Sequence, residues 1–183
     1  MKLYFHGFGS SVEGSATFHF LKEYFTDLEG INLDYENSNA FEKIDNDALA
    51  KYDLLIGNSF GGLMATYLGL KYAIPFCVIN PFIAPSKTLG LSSYLPWEGE
   101  IQRLIREEVR NPRVPKALIS SQFDELVDRT IVLATKLQTV SLFQEPEWGH
   151  RVPIDDRAAV EKILNETIKR IPTDGRELIA GKQ

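Results

Sequence analysis

The chain carries one cysteine, three histidines and no surplus of positive charge. Each shortage removes a class of function. A lone cysteine cannot make a disulfide framework, and Cys77 lies in the apolar run Pro75-Phe76-Cys77-Val78-Ile79, which reads as core. Three scattered histidines and that cysteine offer no metal-ligand spacing, so no metal is expected. With 20 basic against 25 acidic residues the net charge is −5, and the basic residues are not clustered, which argues against nucleic acid as a partner. No apolar run is long enough to span a bilayer and no basic-then-apolar leader is visible, so neither membrane nor export is expected and cytoplasmic residence is the default.

What is present fits one soluble globular domain. A length of 183 residues, 44% hydrophobic and 25% charged, is enough to bury a core without staples. Apolar segments of strand length alternate with segments of helical spacing. Strands are expected at 2–6, 31–35, 53–57, 74–80, 116–122 and 139–143. Helices are expected at 16–26, 41–51, 60–72, 126–137 and 154–171. Such alternation predicts an α/β fold with a parallel sheet covered on both faces. The rhythm breaks at residues 81–97, rich in proline, glycine, serine and aromatics, before an amphipathic helix at 98–110. We expect a small cap there, at about residues 86–110, within a domain spanning 1–172 and followed by a surface tail at 173–183.

The chemistry centres on Gly57-Asn58-Ser59-Phe60-Gly61, which joins an apolar strand to a run of helix formers. Alone, Gly-x-Ser-x-Gly arises by chance in roughly one chain in twenty of this length. It also suits a phosphate-binding turn at a helix N-terminus. The strand–bend–helix context favours a nucleophile elbow, in which a sharp turn lifts the serine hydroxyl above the sheet edge. A serine nucleophile needs a base, and the base needs an orienting acid. His19 falls within an amphipathic helix, and His6 stands beside a glycine-rich loop that its ring is suited to hold. His150 follows the last strand, at the carboxyl edge where sites form, and is the expected base. Asp124 follows the preceding strand and is the expected acid, with Glu125 and Asp128 as rivals. Oxyanion donors are expected from the N–H groups of Phe60 and of Phe8, the latter in the loop after the first strand. Phe8, Phe82, Tyr94, Leu95 and Trp97 are placed to line an apolar substrate pocket.

The order Ser…Asp…His, with His-Gly after the first strand, resembles the α/β-hydrolase superfamily, and within it the YqiA-like small serine esterases. The stretches that carry the resemblance are His6-Gly7-Phe8-x-Ser10-Ser11, Ile56-Gly57-x-Ser59-x-Gly61-Gly62, Ile79-Asn80-Pro81, Asp124-Glu125-Leu126 and Gly149-His150. Gly9 and Asn58 depart from the family pattern, without removing a catalytic group. The resemblance implies a cofactor-free serine esterase. The expected substrate is a small or medium carboxylic ester. A thioesterase using the same residues and a non-catalytic binding module on the same fold are the alternatives. The sequence does not state an oligomeric order.

Overall fold

The computed structural model describes residues 1–42, 44, 46–128, 132, 136 and 142–171. Six parallel strands form one sheet in the order β2-β1-β3-β4-β5-β6. They are β1 Lys2–Phe5, β2 Leu28–Ile31, β3 Leu54–Asn58, β4 Phe76–Ile79, β5 Lys116–Ile119 and β6 Leu142–Gln144. The helices whose bounds fall within the described residues are α1 Ala16–Tyr24, α2 Asn46–Leu49, α3 Phe60–Tyr72, α4 Pro85–Thr88, α5 Leu95–Arg110 and α6 Arg157–Glu166.

Period-two alternation along the strands builds two cores. Leu3, Phe5, Leu55, Val78 and Leu118 point to the face covered by α3 and α5. Tyr4, Leu54, Ile56, Cys77, Ile79, Ala117 and Ile119 point to the face covered by α1 and α6. Burial on both faces is why these strands read as unbroken apolar runs. Helix α3 lies deepest: every residue from Phe60 to Leu70 is buried, so it shows no polar stripe. It stops at Ala73, which takes a left-handed conformation (φ 56°) and returns its N–H to Gly69.

The chain leaves β1 for β2 on one side, then crosses back to place β3 on the other. The carboxyl ends of β1 and β3 therefore bound the crevice where the winding reverses, the usual ligand position in open parallel sheets. Both the loop after β1 and the bend after β3 open there.

Several elements differ from expectation. The second strand lies at Leu28–Ile31, earlier than the alternating stretch 31–35. The expected helix at 41–51 is a 3₁₀ turn, Ser38–Phe41, followed by the single turn α2. The helix expected at 126–137 falls mostly outside the described residues, and Leu126 to Asp128 are not helical. The strand expected at 139–143 is seen as β6 at Leu142–Gln144, with residues 139–141 outside the described ones. The final helix is broken at Thr167 into α6 and a 3₁₀ turn, Ile168–Arg170. The tail at 173–183 lies outside the described residues.

The helical part of the expected cap is not a cap. Helix α5 is the β4-to-β5 crossover, and Ile101, Leu104 and Ile105 enter the core beside α3. Its end is tied to β5 by a buried cluster: Glu108 Oε1 accepts from Arg113 N (2.8 Å), Val114 N (2.8 Å) and Lys116 Nζ (2.7 Å). The stretch before α5 is pinned by Glu98, whose two oxygens accept from Ser86 N and Ser86 Oγ, each at 2.6 Å. An amphipathic stripe states that a helix packs; its neighbours decide on what.

Candidate active site

The bend after β3 is dictated by main-chain crowding. A Cβ on Gly57 would stand 2.2 Å from the Gly61 carbonyl oxygen, and one on Gly61 would stand 2.1 Å from that of Phe5. Only hydrogen fits at either place, so strand β1, the bend and α3 can close together. Ser59, at the apex, is forced to φ 56° and ψ −122°. A non-glycine residue there stores strain of about 1–3 kcal/mol, the kind that collects at functional sites. The surroundings hold it: Ser59 N donates to Ile79 O (2.8 Å), and Ser59 O accepts from Gly62 N (2.9 Å) and Phe82 N (3.1 Å).

Three side chains from three strand ends form a line, with His150 between Ser59 and Asp124. His150 Nε2 lies 2.9 Å from Ser59 Oγ, and His150 Nδ1 lies 2.9 and 3.0 Å from the two oxygens of Asp124. Burial pushes the Asp124 carboxyl up, but hydrogen bonds from His150 and from the N–H groups of Val127 and Leu126 outweigh it and hold the group below the usual carboxylate range. An ionised Asp124 only accepts, so Nδ1 carries the imidazole proton, and in the neutral ring Nε2 accepts from the serine hydroxyl. Asp124, rather than Glu125 or Asp128, is the acid that meets the ring.

The loop after β1 closes the other side. His6 is buried, accepts from Leu33 N at Nε2 (3.0 Å) and donates from Nδ1 to Gly7 O (2.7 Å). Both ring nitrogens are thus used to hold the loop. A Cβ on Gly7 would stand 3.2 Å from that of Ser59, so glycine lets the loop press against the serine. The Phe8 ring is 41% exposed and stands 5.5 Å from the Phe60 ring. Phe60 opens α3, so its N–H is among those without an intrahelical partner.

The sequence-predicted pocket divides. Phe8 lies beside Phe60, and the Phe82 ring stands edge-on to His150 at 5.7 Å; both belong to the surroundings of the serine. Tyr94 does not line an opening: it is wholly buried, its hydroxyl donating to Tyr35 O at 2.6 Å. Trp97 stacks on Phe41 at 4.7 Å and meets Tyr67 edge-on, as part of the α3–α5 core. Leu95 is 56% exposed on the first turn of α5. Aromatics in a proline-rich segment read as surface, yet here they fill the gap between α5 and α3.

Two residues had no such role assigned from sequence. Asn80 bridges the acid and histidine loops, and Glu125 accepts from His150 N at 2.9 Å. Among the described residues, no group of three His, Cys, Asp or Glu side chains stands close enough to hold a metal. Nor is any described helix long and apolar enough to cross a membrane.

A parallel sheet whose central strand bends through a strained serine into a buried helix, with acid and histidine on later loops, defines the α/β-hydrolase fold. Solved structures share it. An esterase of Pyrococcus furiosus superposes with a TM-score of 0.65 at 16% identity, covering 93% of this chain and 80% of its own. The protein Est1E of Butyrivibrio proteoclasticus does so at 0.63 and 15%, covering 90% and 87%. A monoacylglycerol lipase of Paleococcus ferrophilus does so at 0.61 and 15%, covering 91% and 94%. Residues 1–96, just over half of the chain, match the model of the uncharacterised protein family UPF0227. The chain belongs to that family, the YqiA-like group its motifs resemble. No curated protein sequence matches it.

Proposed function

We propose that this chain is a serine hydrolase that cleaves small to medium carboxylic esters through an acyl-enzyme intermediate. The observation that carries the reading is the unbroken hydrogen-bonded line from Ser59 Oγ through the His150 ring to Asp124. It stands on a strained bend at the crevice between β1 and β3. The neighbours named esterases and lipases share the fold in which this reading is set.

Ser59 Oγ attacks the ester carbonyl carbon while His150 Nε2 takes the hydroxyl proton. The carbonyl π pair becomes the oxyanion, which the N–H groups of Phe60 and Phe8 stabilise by about 2.7–4 kcal/mol per donor. Collapse expels the alkoxide, which receives the proton from Nε2. A water molecule then gives its proton to Nε2 and attacks the acyl-serine; collapse of the second tetrahedral species frees the acid and returns the proton to Ser59. Asp124 stays ionised throughout, holding Nδ1–H and stabilising the imidazolium. Phe8 and Phe82 supply the apolar walls. No cofactor takes part in any step.

A fluorophosphonate probe should label the purified protein, and Ser59→Ala should abolish both labelling and p-nitrophenyl acetate turnover. Labelling that persists in Ser59→Ala removes the assignment. Competition between an acyl-CoA and its oxygen-ester counterpart decides between esterase and thioesterase, which would use the same residues. A protein that is neither labelled nor active on an ester and thioester panel would be the binding module instead.

A further inference from the structure

We propose that Asn80 and Glu125 are positioning residues that hold His150 by its main chain and so fix its ring between Asp124 and Ser59. The proposal rests on the serine-hydrolase reading above and adds to it two residues that touch neither substrate nor reacting atoms.

The need for them lies in how the histidine loop is attached. Among the described residues strand β6 ends at Gln144, six residues before the histidine. Beyond it a main-chain ladder continues to the acid loop: Ser120 N to Gln144 O (3.0 Å), Gln122 N to Pro146 O (2.9 Å) and Phe123 N to Trp148 O (3.0 Å). The ladder ends at Trp148, two residues before the histidine. From there side chains take over. Asn80 Nδ2 donates to His150 O at 2.9 Å and Gly149 O at 3.3 Å, while Glu125 Oε2 accepts from His150 N at 2.9 Å. The main-chain donor and acceptor of His150 are thus each met by a side chain, and both ring nitrogens by Asp124 and Ser59.

Asn80 is suited to this task in three ways. It is 2% exposed, so its hydrogen bonds do not compete with water. Its amide has both polarities, and Oδ1 accepts from Ser121 N (2.7 Å) while Nδ2 serves the histidine loop; one side chain therefore sets the spacing of two loops. Its backbone is left-handed (φ 46°), a conformation asparagine tolerates better than most non-glycine residues. Glu125 completes the grip from the acid loop. Adjacent carboxylates hold one histidine, Asp124 by the ring and Glu125 by the main chain. Glu125 reaches it because Gly149 lacks a side chain: a Cβ there would stand 2.9 Å from Glu125 Oε2.

The test compares Asn80→Asp, Asn80→Gly, Glu125→Ala and Glu125→Gln with the full-length chain. Asn80→Asp keeps the acceptor for Ser121 N and tolerates the left-handed backbone, but turns an oxygen toward the two carbonyls. Asn80→Gly keeps the backbone and removes the grip. Both should lower kcat on p-nitrophenyl acetate by about 10²-fold, the cost of a misplacement near 1 Å, with KM little changed. Fluorophosphonate labelling of Ser59 should slow in parallel. Glu125→Ala should lower kcat less, and Glu125→Gln, which retains an acceptor, should recover most of that loss. The downfield proton resonance of the His150 Nδ1–H should broaden in Asn80→Asp and stay sharp in Glu125→Gln.

Asn80→Asp with wild-type kcat and a sharp resonance would overturn the proposal, because the bond to Ser121 would then be the only one that matters. So would losses in all four variants that follow the fall in thermal midpoint alone. A wild-type chain that is inert yet shows the resonance, sharp and sensitive to Asn80→Asp, would instead reject the hydrolase reading and keep the positioning role.

Discussion

The two halves of the candidate site are built by different means. The serine half is held by main chain: Gly57, Ser59 and Gly61 sit where β1, β3 and α3 touch, and the backbone leaves no alternative path. The histidine half lies beyond the end of β6 and is held by the side chains of Asn80, Asp124 and Glu125. Steric closure tolerates nothing and demands little of distant sequence. Side-chain bonding tolerates adjustment, and depends on residues far apart in the chain. One half should therefore fail by unfolding and the other by losing alignment.

The largest effect tests that contrast directly. Gly61→Ala places a Cβ 2.1 Å from the Phe5 carbonyl oxygen, which belongs to a central strand and has nowhere to go. We expect a cost of about 4–5 kcal/mol or more and loss of the folded state. Cys77 provides the measure. It is the only cysteine, wholly buried in β4, with burial pushing its thiol pKa up. Its reaction with a thiol reagent should be fast in Gly61→Ala and slow in the wild type. A folded Gly61→Ala with a protected Cys77 would break the account of the bend.

Asp124→Asn comes next. It should lower kcat by about 10⁴-fold, since an amide no longer requires the Nδ1–H tautomer or stabilises the imidazolium. Cys77 should remain protected. A loss of less than tenfold would move the acid role to another residue, with Glu125 first in line by position.

The same contrast explains how much could be read from sequence. The bend is legible because its signature is local: glycines two residues either side of Ser59 mark the crowding, although the atom that forbids a Cβ on Gly61 belongs to Phe5 on another strand. Asp124 and His150 followed from strand order and from having only three histidines to choose among. Asn80 lies in an Asn-Pro pair, yet its side-chain hydrogen bonds reach across 41 and 70 residues, and no local pattern encodes that. Glu125 reads as a rival for the ring, but its carboxylate accepts from the main chain of His150. The helical part of the expected cap differs for a related reason. Ile101, Leu104 and Ile105 declare a buried stripe, but not that its partner is α3. Tyr94 and Trp97 were placed at the site by their segment, whereas Phe41, Tyr67 and Phe60 draw them into the core.

Repeating the glycine substitution in the other half sharpens the comparison. Gly149→Ala brings a Cβ to 2.9 Å from Glu125 Oε2, the far end of a flexible side chain that can swing aside. Replacing a glycine whose backbone allows alanine adds about 0.4–1 kcal/mol of stability through the unfolded chain, offsetting part of the lost contact. The thermal midpoint should stay near that of the wild type and kcat should fall by roughly tenfold, well short of the misplacement limit. Unfolding of Gly149→Ala would place this loop under the same steric rule as the bend.

The smallest effect is a pH dependence of stability. Folding lowers the Asp124 pKa, so the unfolded state binds the proton more readily and stability rises with pH through the interval between the two values. The contribution is complete above the unfolded carboxylate value of about 3.9 and is lost as pH falls through the folded one. Asparagine at 124 has no such term. The difference in denaturation midpoint between wild type and Asp124→Asn should therefore be constant from about pH 8 to 5 and shift toward the variant below about pH 4. Glu125 also has a lowered pKa, through its bond from His150 N, but it is exposed and present in both proteins, so it cancels. A difference that stayed constant from about pH 8 to below pH 4 would overturn this reading. In that case the ionised form of Asp124 would add nothing to the grip on His150, and the histidine half would be held by hydrogen-bond geometry alone.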